Sequence, residues 1–203
     1  MTNRPSRLLQ LTLASLLALL LGGCGARQPV TYFNLTPIAP ERQEAKGGDT
    51  AEPLAIGVGP VTLPDSLSRS QIASRLDSQR LRYDDWHRWS SPLADDFAQV
   101  LQEDIAAQLP ARTTVALFPW GGYFQPTHRI VVKVSLFDGA LGGEVVLKAR
   151  WTLTDGAGKE TIAARHAVIT VKAGGEGYEE LVTAQSQAVA DLSREIVAVL
   201  ANR

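Results

Sequence analysis

The sequence contains a single cysteine, Cys24, among 203 residues. One cysteine excludes an intramolecular disulfide and any zinc site built from cysteine thiolates. The chain also lacks an excess of either charge, because 20 Lys and Arg stand against 21 Asp and Glu. Without a basic excess, nucleic acid is not an expected partner. What is present is 45% hydrophobic residues, which suffices for a globular core and excludes a disordered chain.

The sequence also lacks the patterns that commit a chain to catalysis or to metal binding. Its three histidines show no short ligand spacing such as H-x-x-x-H. The glycine groups at 139–143 and 174–177 match neither the dinucleotide-binding motif nor the P-loop, and are typical of turns. A Ser-His-Asp site assembled from distant positions remains an alternative. We therefore expect a protein that is not an enzyme and binds no metal and no cofactor.

The N-terminal segment has the features of a targeting signal. Arg4 and Arg7 precede a leucine-rich stretch of 14 residues, Leu8–Leu21, which is followed by two glycines. A basic start, a short apolar region and small residues before a cleavage site define a secretory signal peptide, here residues 1–23. The stretch is too short for a transmembrane helix, which needs about 20 apolar residues. The alternative is an ordinary signal peptide followed by a coincidental cysteine with a free thiol.

The run Leu-Gly-Gly-Cys at 21–24 resembles the bacterial lipobox. The resemblance implies cleavage before Cys24 and a covalent diacylglyceryl and N-acyl lipid on that cysteine. Residues 24–31 would then be the lipidated cysteine and a short tether, and residues 32–203 one domain. Gly25 is not the aspartate that retains lipoproteins in the inner membrane, so we expect the periplasmic face of the outer membrane of a Gram-negative bacterium.

Two helices are predicted. Ser91 is the expected N-cap of the first, with Pro92 in the first helical position and Pro110 beyond its end. Its apolar stripe has the three- and four-residue spacing of an amphipathic helix and consists of Leu93, Phe97, Val100, Leu101, Ile105 and Leu109. The second helix runs from Tyr178 to the end of the chain, with Leu181, Ala188, Leu192, Ile196 and Val199 directed inward.

The remaining apolar segments predict strands. They are Val30–Leu35, Leu54–Val61, Thr113–Phe118, His128–Phe137, Glu144–Thr154 and Thr161–Val171. Short strands and turns are expected between Leu63 and Ser91, and an exposed loop at Ile38–Pro53. In His128–Phe137 the residues expected on one face are Ile130, Val132, Val134 and Leu136. Asp155-Gly156 is a turn signal, so the last two strands form a hairpin. This order predicts one α+β domain with a mixed, mostly antiparallel sheet and two helices on one face.

Eight of the thirteen aromatic residues fall between Tyr83 and Phe124. One interpretation is a core clustered under the first helix. The other is that Trp120, Tyr123 and Phe124, in a loop rich in glycine and proline, form an exposed contact patch for a partner. Arg75 and Arg88 are further candidate contact residues, although both could instead pair with Asp84 or Asp85 within the domain.

Several short motifs occur together in a recognisable order. They are Tyr32-x-x-Leu35, the run I-G-V-G-P-V-T-L-P at 56–64, Arg69-x-x-Ile72-x-x-Arg75, Trp86-His87-Arg88-Trp89, Pro92-Leu93 and Phe118-Pro119-Trp120. With the lipobox, this series resembles the ABC-type transport auxiliary lipoprotein family, which includes PqiC-like outer-membrane lipoproteins. The resemblance extends over nearly the whole chain after Cys24.

The resemblance implies a function without catalysis. It implies an adaptor or anchor at the outer membrane for an MCE-domain tube protein that carries lipid across the periplasm, with the lipoprotein itself forming a homo-oligomeric ring. Two alternatives remain. One is a monomeric lipoprotein that binds a lipid or small ligand for an ABC transporter, and the other is a structural lipoprotein of envelope assembly. A closed apolar pocket of several hundred Å³ would favour the ligand carrier.

Overall fold

The computed structural model describes residues 28–38 and 54–201. The predicted signal peptide, Cys24 and most of the predicted loop at 38–53 lie outside these residues. The elements in chain order are β1 (Thr31–Phe33), β2 (Ala55–Thr62), a 3-10 turn (Asp65–Leu67), β3 (Gln71–Arg75), β4 (Leu81–Trp89), α1 (Leu93–Gln108), β5 (Thr114–Leu117), β6 (His128–Gly139), β7 (Glu144–Asp155), β8 (Thr161–Lys172) and α2 (Tyr178–Ala201).

The described strands form two mixed sheets. The larger has five strands in the order β5-β2-β6-β7-β8, and the smaller has three in the order β1-β4-β3. Strand β2 is parallel to both β5 and β6, and β1 is parallel to β4, whereas the other neighbours are antiparallel. The predicted α+β class with two helices is therefore confirmed, with its strands divided between two sheets.

The buried core lies between the two helices and one face of the five-stranded sheet. Helix α1 packs on β2 and β5, and helix α2 packs on β7 and β8 as well as on α1. The alternation predicted for Glu144–Thr154 is present in β7, where every second residue is buried: Val145, Leu147, Ala149, Trp151 and Leu153. Phe97 of α1 meets Phe137 of β6 edge to face, with ring centroids 5.2 Å apart.

The alternation in β6 differs from the prediction near its end. The pairing of β6 with β7 shifts register between Val134 and Leu136. Such a bulge inserts one residue and reverses the faces of those that follow. Consequently Phe137 is fully buried, and Leu136, which was expected on the inner face, is only half-buried. The prediction for Leu136 is therefore wrong.

The start of α1 is also one residue later than predicted. Pro92 is the N-cap, with an extended ψ of 124°, and its carbonyl accepts the N–H groups of Asp95 and Asp96 at 3.0 and 3.2 Å. The Ser91 hydroxyl hydrogen-bonds instead to the Asp96 carboxyl. The assignment of Ser91 as N-cap is therefore wrong, because its side chain binds a carboxyl rather than a free backbone N–H of the first turn.

The first described segment crosses both helices. The backbone N–H groups of Leu35, Thr36 and Ile38 donate to Asp96 Oδ2 (2.7 Å), Ser186 Oγ (3.1 Å) and Asp104 Oδ1 (2.9 Å) respectively. Asp96 and Asp104 belong to α1 and Ser186 to α2. The chain therefore leaves β1 on the helix side of the five-stranded sheet, and neither of the two described helices covers the opposite face of that sheet.

Candidate functional site

The connection between β5 and β6 carries a group of four aromatic residues, which we call the aromatic turn: Phe118, Trp120, Tyr123 and Phe124. One backbone hydrogen bond ties its start to β2, and a second lies within the turn. The Phe118 N–H donates to the Val58 carbonyl at 2.8 Å, and the Phe124 N–H donates to the Gly121 carbonyl at 3.0 Å. Within this turn Tyr123 is 97% exposed and Phe118 is 53% exposed, while Trp120 and Phe124 are half-buried.

Trp120 anchors the aromatic turn against the five-stranded sheet. Its ring lies over Gly57 of β2, where a Cβ would come within 2.7 Å of two ring carbons. Only glycine fits this approach without a shift. The ring meets Phe118 edge to face at 5.3 Å between centroids, and the Arg129 guanidinium lies 5.6 Å from its centroid. Trp120 therefore holds the turn, and the two most exposed rings project from it.

The structure divides the aromatic cluster between the two interpretations drawn from the sequence. Trp89 and Phe97 are buried in the core. Trp120 and Phe124 are half-buried in the aromatic turn, and Tyr123 is exposed. The three predicted contact residues are thus brought together, and their role in binding stays a prediction. Phe118 is a further member that the spacing of the aromatic residues does not single out. A glycine inside an apolar strand, here Gly57, is the signal that another group approaches the backbone there.

The two candidate arginines lie apart from the aromatic turn. Arg75 forms a bidentate ion pair with Asp138 of β6, with Nε–Oδ1 and Nη2–Oδ2 distances of 2.5 and 2.6 Å. These hydrogen bonds raise the pKa of Arg75 above its ordinary value despite partial burial. Arg88 donates from Nε to the Asp85 carbonyl at 3.0 Å. Arg75 thus pairs with Asp138 rather than with Asp84 or Asp85, and joins the two sheets.

A second polar contact joins the small sheet to helix α2. The His87 ring stacks on Tyr178, with centroids 4.2 Å apart, and its Nδ1 lies 2.8 Å from Asp84 Oδ1. Partial burial raises the pKa of Asp84, but hydrogen bonds from the His87 ring and from the Trp86 and His87 N–H groups outweigh it. The pKa of Asp84 is therefore lowered overall. This arrangement positions β4 against α2 through ionised Asp84.

Two open grooves lie on the side of the five-stranded sheet opposite the helices. One, of about 710 Å³, borders the aromatic turn and is lined by Trp120, Phe124, Arg129 and several glycines and polar residues. The other, of about 430 Å³, crosses the middle of β6, β7 and β8 and includes Lys133, Lys148, Arg150 and His166. The second groove is not visible in the sequence, because its residues lie on three strands and meet only through the register of the sheet.

The described residues hold no group of three histidines, cysteines or carboxylates arranged to bind a metal ion. Within the same ranges, no helix combines the length and the hydropathy needed to cross a bilayer. Cys24, the predicted lipidation site, lies outside the ranges described.

Known structures resemble the chain in fold. A crystal structure described as an uncharacterized protein has a TM-score of 0.67 at 23% identity, covering 85% of this chain and 99% of its own. A Xanthomonas campestris protein of family DUF330 has a TM-score of 0.63 at 13% identity, covering 82% of this chain and 92% of its own. At such identities the likeness establishes the fold alone.

A weaker likeness is to the PelC dodecamer from Paraburkholderia phytofirmans, with a TM-score of 0.40, 14% identity and coverage of 74% of this chain and 93% of its own. This TM-score supports no conclusion about the assembly of the present chain.

No match was found among curated proteins. The model of the ABC-type transport auxiliary lipoprotein component matches residues 33–197. The chain therefore belongs to the family of ABC-type transport auxiliary lipoproteins.

Proposed function

We propose that the protein is a non-enzymatic adaptor, held by lipid on Cys24 to the periplasmic face of the outer membrane, for an MCE-type lipid transport system. Its work is to bind and position a tube-forming MCE-domain protein, as a homo-oligomeric ring. Membership of a transport auxiliary family supports the general role. The observation that carries the proposal is the exposure of Phe118 and Tyr123 on a turn that Trp120 packs against β2.

Exposed aromatic rings on a fixed support suit a protein–protein contact. Aromatic residues dominate the binding energy of protein interfaces, and a ring that is already held in place loses little conformational entropy on binding. Trp120, packed over Gly57, supplies that support. The aromatic turn therefore presents two exposed rings, Phe118 and Tyr123, to a partner, while Trp120 packs against the sheet.

The geometry favours the adaptor over the ligand carrier. The two grooves described above are open, and both are lined in part by charged or polar side chains. A carrier that shields a whole lipid from water needs an enclosed apolar cavity that buries most of the ligand surface. Neither groove has that form.

The experiment is a crosslinked pull-down of the full-length lipidated protein from its own membranes, with identification of captured proteins and lipids by mass spectrometry. We expect the wild type to capture an MCE-domain protein. Replacing both Phe118 and Tyr123 by serine should reduce the capture tenfold or more, which corresponds to about 1.4 kcal/mol. Light scattering after size exclusion would measure the ring in parallel.

The matched control is Trp86→Ser, which removes another exposed aromatic residue, 39% exposed on β4, outside the aromatic turn. It should leave capture within about twofold of the wild type, a change within the usual effect of surface substitutions. A wild-type protein that is strictly monomeric, captures no MCE-domain protein and co-purifies with a stoichiometric ligand would contradict the adaptor and support the carrier.

Anchoring is tested separately. Cys24 is the only cysteine, so Cys24→Ala removes the only thiol that a diacylglyceryl group could modify. We expect this variant to lose labelling by a palmitate analogue and to remain an uncleaved precursor or become soluble in the periplasm. Labelling that persists in the variant would contradict lipidation at this residue.

A further inference from the structure

The groove across β6, β7 and β8 concentrates positive charge. We call it the cationic groove and define it by Lys133, Lys148, Arg150 and His166; Ser135 and Val168 complete its polar and apolar rim. Its lining includes no carboxylate. This local excess occurs in a chain whose formal net charge is −1.

The register of the sheet creates this excess. Lys133 of β6 lies directly opposite Arg150 of β7, and Arg150 lies directly opposite His166 of β8. Neighbouring strands are about 4.8 Å apart, so these three side chains form one row across the sheet. Lys148 lies two residues from Arg150 along β7 and therefore on the same face.

Electrostatic repulsion within this row lowers the stability of the folded protein when no ligand is bound. Lys133 and Arg150 are like charges placed directly opposite one another, which is destabilising by a fraction of a kilocalorie per mole. Four other arginines of the described chain pair with carboxylates: Arg75 with Asp138, Arg80 with Asp77, Arg88 with Asp85 and Arg194 with Asp191. No such ion pair involves Lys133, Lys148 or Arg150 within the described ranges. A row of unpaired cations is instead suited to a ligand that supplies the missing negative charge.

We propose that the cationic groove is a binding site for a phosphate-bearing ligand. The Arg150 guanidinium can present two parallel N–H donors to phosphate oxygens, and the two ammonium groups add charge from either side. The groove volume, about 430 Å³, has room for a phosphate group with a small polar substituent such as glycerol. Two sources share this chemistry: the phosphodiester head group of a phospholipid and a free phosphate monoester.

The cationic groove is open to solution in the described structure. Lys133, Lys148, Arg150 and His166 are all exposed. Leu35, Thr36 and Ile38 hydrogen-bond to the two helices, which pack on the other face of the five-stranded sheet, so this segment does not cover the groove. Uncharged detergent micelles hold the lipidated protein in solution without supplying a phosphate group of their own.

The test is calorimetric titration of the full-length lipidated protein in such micelles. The probes are inorganic phosphate, glycerol phosphate and glycerophosphoglycerol, which is the deacylated form of a phospholipid, with citrate as a carboxylate comparison. We expect at least one phosphate probe to bind, with affinity that falls as salt rises. Tighter binding of glycerophosphoglycerol supports a lipid head group as the source, and tighter binding of glycerol phosphate supports a free monoester.

The double variant Lys133→Gln and Arg150→Gln should weaken phosphate binding tenfold or more. The matched control is Arg112→Gln with Lys159→Gln, which removes the same charge from exposed positions outside the groove and should change affinity by less than twofold. Thermal unfolding of both variants shows that they are folded. An equal loss in both variants, citrate binding as tight as that of phosphate, or no heat from any phosphate probe at millimolar concentration would overturn the proposal.

Discussion

The two faces of the five-stranded sheet are made by the same strands and have opposite character. In β7 the inward residues, such as Leu147 and Trp151, are buried against the helices, while Lys148 and Arg150 between them face solvent. The inner face is committed to packing, since each of its side chains already has apolar neighbours. The outer face carries the exposed side chains of the cationic groove and, over β2, the aromatic turn. Alternate residues of β7 thus differ: the inward ones build the core, and the outward ones form an exposed charged surface.

Charged groups show the same division. Asp138 is buried and held by Arg75, and this ion pair joins the small sheet to the five-stranded sheet. Within β4, Asp84 holds the His87 ring, which stacks on Tyr178 of α2. The cations of the groove lie on the outer face opposite one another and have no such partners within the described residues. Substitutions in each class should therefore have different effects on folding.

The largest effect is expected on the inner face. Leu147 is fully buried, so Leu147→Ala removes apolar contacts and leaves a cavity, at a cost of about 2–5 kcal/mol in the free energy of unfolding. Val168, on the neighbouring strand, is 66% exposed, and Val168→Ala should change that free energy by less than about 0.5 kcal/mol. Urea unfolding measures both. Similar losses in the two variants would contradict the division between the faces.

A smaller effect is expected where the sheets meet. Arg75→Ala leaves the Asp138 carboxylate, whose side chain is only 5% exposed, without its partner. Removal of one member of a buried ion pair is more costly than removal of both, so we expect a loss of about 2–4 kcal/mol. The double variant Arg75→Leu with Asp138→Leu should recover part of it. If Arg75→Ala is as stable as the wild type, the ion pair does not join the sheets.

The contact of Asp84 with His87 should appear in the pH dependence of stability. Because the pKa of Asp84 is lowered in the folded protein, ionised Asp84 contributes stability above its unfolded value of 3.8. That contribution is lost as the pH falls through the lowered folded pKa. Asp84→Asn should cost about 1 kcal/mol at neutral pH. Urea unfolding from pH 7 to pH 3 should show this difference shrinking toward the acid end, and a constant difference would mean that ionisation is not its cause.

The helices and strands of this chain could largely be predicted from its sequence, because each shows apolar residues repeating every two residues in a strand or every three to four in a helix. The alternation of Glu144–Thr154 and the spacing of Leu93 to Leu109 each report one buried face, and both elements are present. The bulge beside Leu136 could not be predicted, since an inserted residue becomes visible only against the partner strand. The division into two sheets rests on parallel pairs between distant segments, which local patterns do not encode.

For the candidate site too, the sequence predicts which residues cluster along the chain but not how they pack in the folded protein. The aromatic turn was recognised from the clustering of Trp120, Tyr123 and Phe124, but the difference between support and free rings depends on the packing of Trp120 over Gly57. The cationic groove was missed. Lys133 and His166 are unremarkable single residues in their own strands, and only the register places them on either side of Arg150.

The smallest expected effect is on the outer face itself. Lys133→Gln relieves repulsion with Arg150 directly opposite, so the free energy of unfolding should stay constant or rise by a few tenths of a kilocalorie per mole. Salt screens exposed like charges, so this difference should be largest at low ionic strength and fade as salt is added. Urea unfolding of wild type and variant over a salt series measures both features. A loss of more than about 1 kcal/mol would show that Lys133 serves the fold, because a side chain kept for a ligand contributes little to stability in its absence.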